Sequence, residues 1–519
     1  MENDDIIRLL PKRKRDLKRL IFSRAGLIIL LLLLEIAVLF AVYSMFNEYF
    51  RWFRLVQYLF SIGMVFYLFR CDMDATAKLT WLNLIMLFPV PATILLWGTR
   101  HDIGHRLIMR RVAELTETAR GMIPQHSDIL DRPEITDSAT DDLCRYLNRS
   151  GCFPLYADTQ VTYLESGEAK FAAMLEALQT AEHFIYLEYF IIGEGYMWGR
   201  VLKILAEKAA QGVDVRVMYD GMCEMSTLSR DYPERLQALG IKCKPFSRIY
   251  PFISTHYNYR DHRKILVVDG KTAFNGGVNL ADEYINRVER FGHWKDAAVM
   301  LRGAAVQSFT LMFLQMWNLT EPAPQWQAAE ICVHADADGY VMPFSDCPLD
   351  SDKVGESVYM DILSRAKTYV HIMTPYLILD NELETALKFA AERGVDVRLI
   401  LPGIPDKKAS YALAKTHYAA LTEAGVHIYE YTPGFVHAKV FVCDDEKAVV
   451  GTINLDYRSL YHHFECATYL YRCECIGAVE QDFQQTLAQC RAVTPETIKN
   501  ERLGYKILGS IMKLVAPLF

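Results

Sequence analysis

The 519-residue sequence predicts an α/β protein. It should consist of two repeated halves, each a parallel-rich mixed sheet flanked by helices, behind an N-terminal α-helical membrane anchor. Three observations predict this: apolar runs crowded before residue 100, regular strand–helix alternation from residue 154 onward, and short segments that recur in both halves. Composition bounds the answer. A chain this long suggests roughly three domain-sized units. At 23% charged residues it is too polar for a polytopic transporter, and at 51% apolar residues too hydrophobic for a disordered chain. With 63 acidic against 56 basic residues and a net charge of −7, it lacks the basic excess of a nucleic-acid binder.

The anchor is read over residues 1–112. Residues 25–46 carry only Glu35, residues 52–69 are shorter and include Arg54, and residues 79–98 carry no charge. A hydrocarbon core about 30 Å thick needs about 20 helical residues, so the first and third runs qualify and the second is marginal. Lys12, Arg13, Lys14, Arg15, Lys18, Arg19 and Arg24 precede the first run, which places the N-terminus on the cytoplasmic side. Arg100, Arg106, Arg110 and Arg111 follow the third run and claim the same side. Three full crossings cannot satisfy both flanks. Either one segment is re-entrant or interfacial, or one basic cluster misleads. The 12 cysteines show no C-x-x-C pair and no disulfide or zinc spacing, which favours a reducing, cytoplasmic compartment for the catalytic region.

After a polar connector, 113–153, the two halves span 154–340 and 341–519. In the first, helices are expected over 168–181 and 199–211, with strands over 184–192 and 213–219. In the second, helices fall at 357–367 and 382–393, with strands at 369–375 and 395–401. Such alternation predicts parallel sheets covered by helices. Gly212-Val213-Asp214-Val215-Arg216 recurs as Gly394-Val395-Asp396-Val397-Arg398, and the segment around Leu239-Gly240-Ile241 recurs as Ala424-Gly425-Val426. One match could be an ordinary helix-to-strand join capped by Gly. Two, in the same order and at nearly constant offset, indicate a duplication.

Each half also carries one H-x-K-x4-D-x6-G-[G/T]-x-N constellation. The first is His262, Lys264, Asp269, Gly276-Gly277 and Asn279; the second is His437, Lys439, Asp444, Gly451-Thr452 and Asn454. On a strand, His and Lys two apart face the same way. A Lys and an amide can hold phosphate oxygens, and His can act as nucleophile or acid/base. Each Asp stands at a strand end before a turn, where a structural role outweighs proton transfer. A single H-x-K would most often be a surface strand; two full matches in register are not coincidence.

These motifs resemble those of the phospholipase D superfamily, and within it the bacterial cardiolipin synthases. Asn258 to Lys264 (NYRDHRK) is similar to the family's NYRNHRK, Thr374-Pro375-Tyr376 to its TPYF, and Asn454 to Ser459 (NLDYRS) to its NLDMRS. Residues 77–98, with Trp81 and Pro89, resemble the family's membrane hairpin, and residues 514–519 its terminal LLSPLL. Asp261 and Thr452 depart from the usual Asn and Ser, and the run at 25–46 exceeds the usual two spans.

The resemblance implies that both motifs form one active site across a pseudo-twofold interface. One His would attack the phosphorus of a phosphatidyl donor and form a phosphohistidine, and the other would serve as general acid and base. By analogy these are His262 and His437; the sequence accommodates the reverse equally well. Lys264, Lys439, Asn279 and Asn454 would stabilise the non-bridging oxygens, without metal or cofactor. Asp296 and Glu465 occupy the places of the family's imidazole-orienting carboxylates. The implied reaction joins two phosphatidylglycerol molecules into cardiolipin and releases glycerol, at the cell membrane among anionic lipids and without nucleic acid. Rival readings are a hydrolytic phospholipase D, a nuclease, and an inactive scaffold. The C-terminal run 503–519 either lies in the lipid interface or packs on the core.

Overall fold

A computed structural model describes residues 6–9, 33, 34, 37, 38, 40, 41, 50–71, 73, 75–100, 103–125, 127–136, 140–248, 259–514 and 516. The basic cluster at 12–24, most of the run at 25–46, Asn258, and the terminal residues 515 and 517–519 lie outside the described residues.

Helix α1 (Phe50–Arg70) contains the second apolar run. The third is divided between α2 (Ala75–Leu87) and α3 (Pro89–Arg100). The division follows from Pro89 and Pro91, which donate no backbone N–H and favour a helix start over a helix interior. Among the described residues, no helix is long and apolar enough to cross a membrane. The three helices share a small core of Leu68, Ile85, Ala92 and Leu96. They leave Trp52, Leu59, Phe66, Phe69, Leu87 and Trp97 exposed.

The connector is not a free linker. Helix α4 (Ile103–Arg120) reaches the main body, where Arg111 Nη2 donates to Glu321 O at 3.1 Å. Helix α5 (Thr140–Gly151) buries Leu143, Cys144 and Leu147 against the second half. The four-residue spacing of its leucines gives it the required apolar stripe.

The first half holds β1 (Thr159–Leu164), α6 (Gly167–Gln179), β2 (Phe184–Tyr189), α7 (Tyr196–Ala210), β3 (Asp214–Asp220) and β4 (Lys242–Phe246). It continues through β5 (Arg260–Asp261), β6 (Lys264–Val268), β7 (Thr272–Gly276), β8 (His293–Lys295) and β9 (Ala298–Gly303). Its sheet order is β1-β9-β7-β6-β2-β3-β4. Helix α8 (Val306–Trp317) follows and is almost wholly buried.

The second half repeats the plan with β10 (Tyr340–Asp346), α9 (Val354–Arg365), β11 (Tyr369–Met373), α10 (Asn381–Glu392) and β12 (Asp396–Pro402). Then come α11 (Lys408–Glu423), β13 (His427–Tyr431), β14 (Gly434–Val436), β15 (Val440–Cys443), β16 (Lys447–Gly451), β17 (His463–Tyr471), α12 (Ile476–Leu487) and β18 (Cys490–Ala492). The order here is β10-β17-β16-β15-β11-β12-β13-β18. Residues of α8, α12 and both sheets join in one central core, with a separate core on the outer side of each sheet.

The sheets are mixed, but not parallel-rich. Along the main path of each sheet, among the described residues, only β2–β3–β4 and β11–β12–β13 pair in parallel. The strands around each H-x-K motif pair antiparallel instead. Local turn chemistry explains the difference. Asp269 (φ 52°) and Gly270 (φ 65°) form the β6–β7 turn, and Asp444 (φ 53°) and Asp445 (φ 56°) the β15–β16 turn. Two consecutive positive φ values make the tight turn that joins antiparallel neighbours.

Helix α13 (Leu503–Lys513) packs on α11 through Gly509, and its other face exposes Leu503, Ile507 and Ile511. The reading that the C-terminal run packs on the core therefore holds for the face that carries Gly509.

Candidate active site

The two H-x-K motifs meet where the halves meet, and the halves are laced together there by exchanged strands. Strand β5, just before His262, pairs in parallel with the start of β17 in the second half. Strand β14, just before His437, pairs in parallel with β8 in the first. The backbone repeats the exchange: His262 N donates to Phe464 O (3.0 Å) and His437 N to Lys295 O (2.7 Å).

The carboxylates are crossed in the same way. His262 Nδ1 lies 2.8 and 3.0 Å from the two oxygens of Glu465, and His437 Nδ1 lies 2.7 Å from Asp296 Oδ2. Each imidazole is thus oriented by the other half. With Nδ1 on a carboxylate, the tautomer protonated at Nδ1 is favoured and Nε2 keeps its lone pair. Lys264 and Lys439 are buried, and each ammonium reaches the carbonyl oxygen of its own motif's histidine.

Burial dominates the electrostatics. It pushes His262 well below the usual imidazole range, helped by Lys264, and takes His437 down to about 4, with Lys439 adding to the shift. Lys264 falls to about 8 and Lys439 to about 7, again by burial. Glu465 is raised by burial, whereas at Asp296 the His437 and Lys439 interactions outweigh burial and hold the carboxyl below its ordinary value. Two imidazoles whose charged forms burial disfavours, beside two buried lysines, suit an anion, because a bound phosphate favours the charged form of each of these groups.

The remaining motif residues divide. Asp269 accepts from the backbone N–H groups of Glu182, His183 and Phe184 at 2.7–2.8 Å. Asp444 accepts from those of Lys367, Thr368 and Tyr369 at 2.8–2.9 Å. Each stands at the far end of its strand from the motif lysine. Asn279 is committed at both ends, accepting from Ile191 N (3.0 Å) and donating to Tyr284 Oη (2.8 Å). Asn454 Oδ1 is buried with no partner among the described residues. Gly277 makes room for protein: a Cβ there would lie 2.1 Å from Asp296 Oδ1. Thr452, at the matching place, donates to Glu465.

Sequence reasoning passed over the aromatic walls. Phe190 and His463 flank His262, with ring centroids 4.9 and 5.2 Å away. Tyr284 and Trp294 flank His437 at 5.5 and 5.2 Å. Trp294 and His463 each precede an orienting carboxylate by two residues, so strand alternation would have placed them on the same face. The ligand atoms of His262, His463 and Glu465 lie within 4.8 Å of one another, a spacing that could hold a metal ion. The two adjacent lysines favour an anion there instead.

The family model "Cardiolipin synthase, PLD-like domain" matches residues 174–317 and 359–487, one match in each half. The chain is 34% identical to cardiolipin synthase 2 of Bacillus cereus, over 88% of this chain and 90% of that protein. It is 56% identical to an uncharacterized protein of Streptococcus mutans, over 88% of this chain and 100% of that one. Among solved structures, phosphatidylserine synthase of Haemophilus influenzae superposes with a TM-score of 0.57 at 16% identity, covering 73% of this chain and 100% of that one; this likeness concerns the fold. With two H-x-K halves laced into one site and these matches over most of its length, the chain belongs to the cardiolipin synthase family of phospholipase D-like enzymes.

Proposed function

We propose that this enzyme transfers a phosphatidyl group between two phosphatidylglycerol molecules, giving cardiolipin and glycerol. The observation that carries the proposal is the crossed pair of carboxylate-held imidazoles, His262–Glu465 and His437–Asp296, set beside two buried lysines. Nε2 of His262 attacks phosphorus, and the bond from phosphorus to the departing glycerol oxygen breaks as His437, charged by the bound anion, gives that oxygen a proton. His437 then takes the proton from the hydroxyl of a second phosphatidylglycerol. That oxygen attacks phosphorus and the phosphorus–nitrogen bond breaks. One phosphodiester replaces another, so no nucleotide is consumed.

Lys264 and Lys439 neutralise the non-bridging oxygens. Asn454, with its unpartnered Oδ1, is freer than Asn279 to turn its amide toward them. Asp269 and Asp444 hold the hairpin turns that carry the motif strands.

Both substrates reside in a bilayer, and the exposed apolar side chains of α1, α2, α3 and α13 suit lipid contact. The enzyme accordingly resides at the cell membrane through residues 1–112. Its twelve free cysteines favour a catalytic region on the cytoplasmic side.

Purified enzyme in phosphatidylglycerol vesicles tests the reaction. Cardiolipin and glycerol should appear in equal amounts, and His262→Ala should abolish both. Phosphatidic acid as the main product would show a hydrolase instead.

A further inference from the structure

Residues 6–9 lie directly on the first catalytic half. Ile7 N donates to Gly199 O at 3.1 Å. Leu9 N donates to the Glu194 carboxylate at 3.2 and 3.4 Å, and Arg235 Nη1 donates to Leu9 O at 2.9 Å. Glu194 is itself fixed by Tyr232 Oη (2.7 Å), which in turn accepts from Trp198 Nε1 (2.6 Å). The side chains of Ile7 and Leu9 pack against the outer core of that half.

The seat depends on one glycine. A Cβ on Gly199 would lie 2.9 Å from Ile6 Cβ and 3.0 Å from Ile7 O, so only a residue without a side chain admits the segment against α7. At the other end of the apolar region, α4 is fastened to the same body by Arg111, whose guanidinium reaches the Asn318 and Glu321 carbonyls. Both flanks of the stretch that holds the apolar runs therefore touch one folded body.

A folded body of this size stays on one face of a bilayer. We infer that residues 6–9 form a strap which holds the N-terminus on the catalytic side, so that the chain crosses the membrane an even number of times between residue 9 and residue 103. The inference rests on the membrane reading given above. It removes the conflict between the two basic flanks. Lys12 to Arg24 and Arg106 to Arg111 then obey the same positive-inside preference on the same face.

The test uses the full chain in sealed membrane vesicles of both orientations. One epitope tag precedes Met1 and another follows Asp336, in an exposed loop of the catalytic body. External protease should remove both tags in one orientation and neither in the other; removal of one alone overturns the shared face. In detergent, Gly199→Val and Glu194→Ala should each speed release of the N-terminal tag by tryptic cleavage after Arg8, inside the strap, about tenfold, read by fragment mass so that cuts at Lys12 to Arg24 are told apart. Unchanged release rates in both variants overturn the strap, and Glu194→Ala serves should Gly199→Val not fold. Alkaline extraction separates the two levels. Release of the protein into the supernatant would overturn the membrane reading and the shared face together, while the release rates still judge the strap.

Discussion

His262 and Glu465 are 203 residues apart in sequence, yet the imidazole Nδ1 lies 2.8 Å from the carboxylate. Its counterpart, His437 with Asp296, spans 141 residues at 2.7 Å. The duplication thus produced two half-sites that each lack an orienting acid of their own. Neither half can hold its histidine correctly without the other, which gives a physical reason for both copies to remain in one chain.

The crossed pairs make the two histidine roles separable. Glu465→Gln should slow phosphoenzyme formation, because it disturbs the nucleophile, by about 10²- to 10⁴-fold. Asp296→Asn should slow the natural reaction by a similar factor, but through the general acid. A donor with a p-nitrophenol leaving group needs no proton, so on that substrate Asp296→Asn should recover most of its burst rate and Glu465→Gln should not. The opposite pattern in rapid-mixing experiments would reverse the assignment of His262 and His437.

Much of this site was legible in the sequence because its parts are local. The H-x-K spacing places two side chains on one strand face, and the Gly-Val-Asp-Val-Arg repeat marks helix-to-strand joins that start β3 and β12 close to where they were expected. The parallel-rich sheet was misjudged because βα alternation was extended to strands that are in fact joined by tight Asp-Gly and Asp-Asp turns. The crossing of the carboxylates was not legible at all. Asp296 and Glu465 were identified, but their partners depend on β8–β14 and β5–β17 pairing between halves, and no local pattern encodes that. The break between α2 and α3 could have been read from Pro89 and Pro91, had the apolar run not been weighed by length alone.

Gly277 and Thr452 hold matching places but do different things, and this asymmetry is testable. Gly277→Ala drives a Cβ into Asp296, which must move and carry His437 with it. Its turnover should fall about 100-fold, in line with the loss expected from a small misplacement of a reacting group. Thr452→Ser keeps the hydroxyl that donates to Glu465 and should stay within about threefold of wild type, whereas Thr452→Val should fall by about tenfold. Steady-state rates on phosphatidylglycerol vesicles decide the order of the three.

The lysines set a pH dependence whose sign is fixed by burial. Lys264 and Lys439 titrate near about 8 and about 7, so in the empty site they lose charge as pH rises through that window. Anion binding needs the charged forms. The apparent KM for phosphatidylglycerol should therefore rise about tenfold or more between pH 6.5 and pH 9, since His437, held near about 4 in the empty site and charged only with the anion bound, adds a proton taken up on binding. Lys439→Arg keeps its charge throughout and should flatten the rise. A KM profile that is equally steep in both enzymes would refute this account.

The motif aspartates should matter for stability rather than for proton transfer. Asp269 gathers three backbone N–H groups at the start of β2 and holds a left-handed turn position at φ 52°. Asp269→Ala strands those donors and places alanine in a strained conformation, at a cost of about 3–5 kcal/mol. Asp269→Asn keeps one acceptor and a side chain that tolerates the left-handed region, so about half of that loss should return. Asp444→Ala should cost less than Asp269→Ala, since the Lys367 and Thr368 amides it serves are exposed to water. Urea unfolding gives the stabilities, and turnover per folded molecule should stay within about threefold of wild type for Asp269→Asn. Normal unfolding combined with a 100-fold drop in turnover would instead return Asp269 to the chemistry.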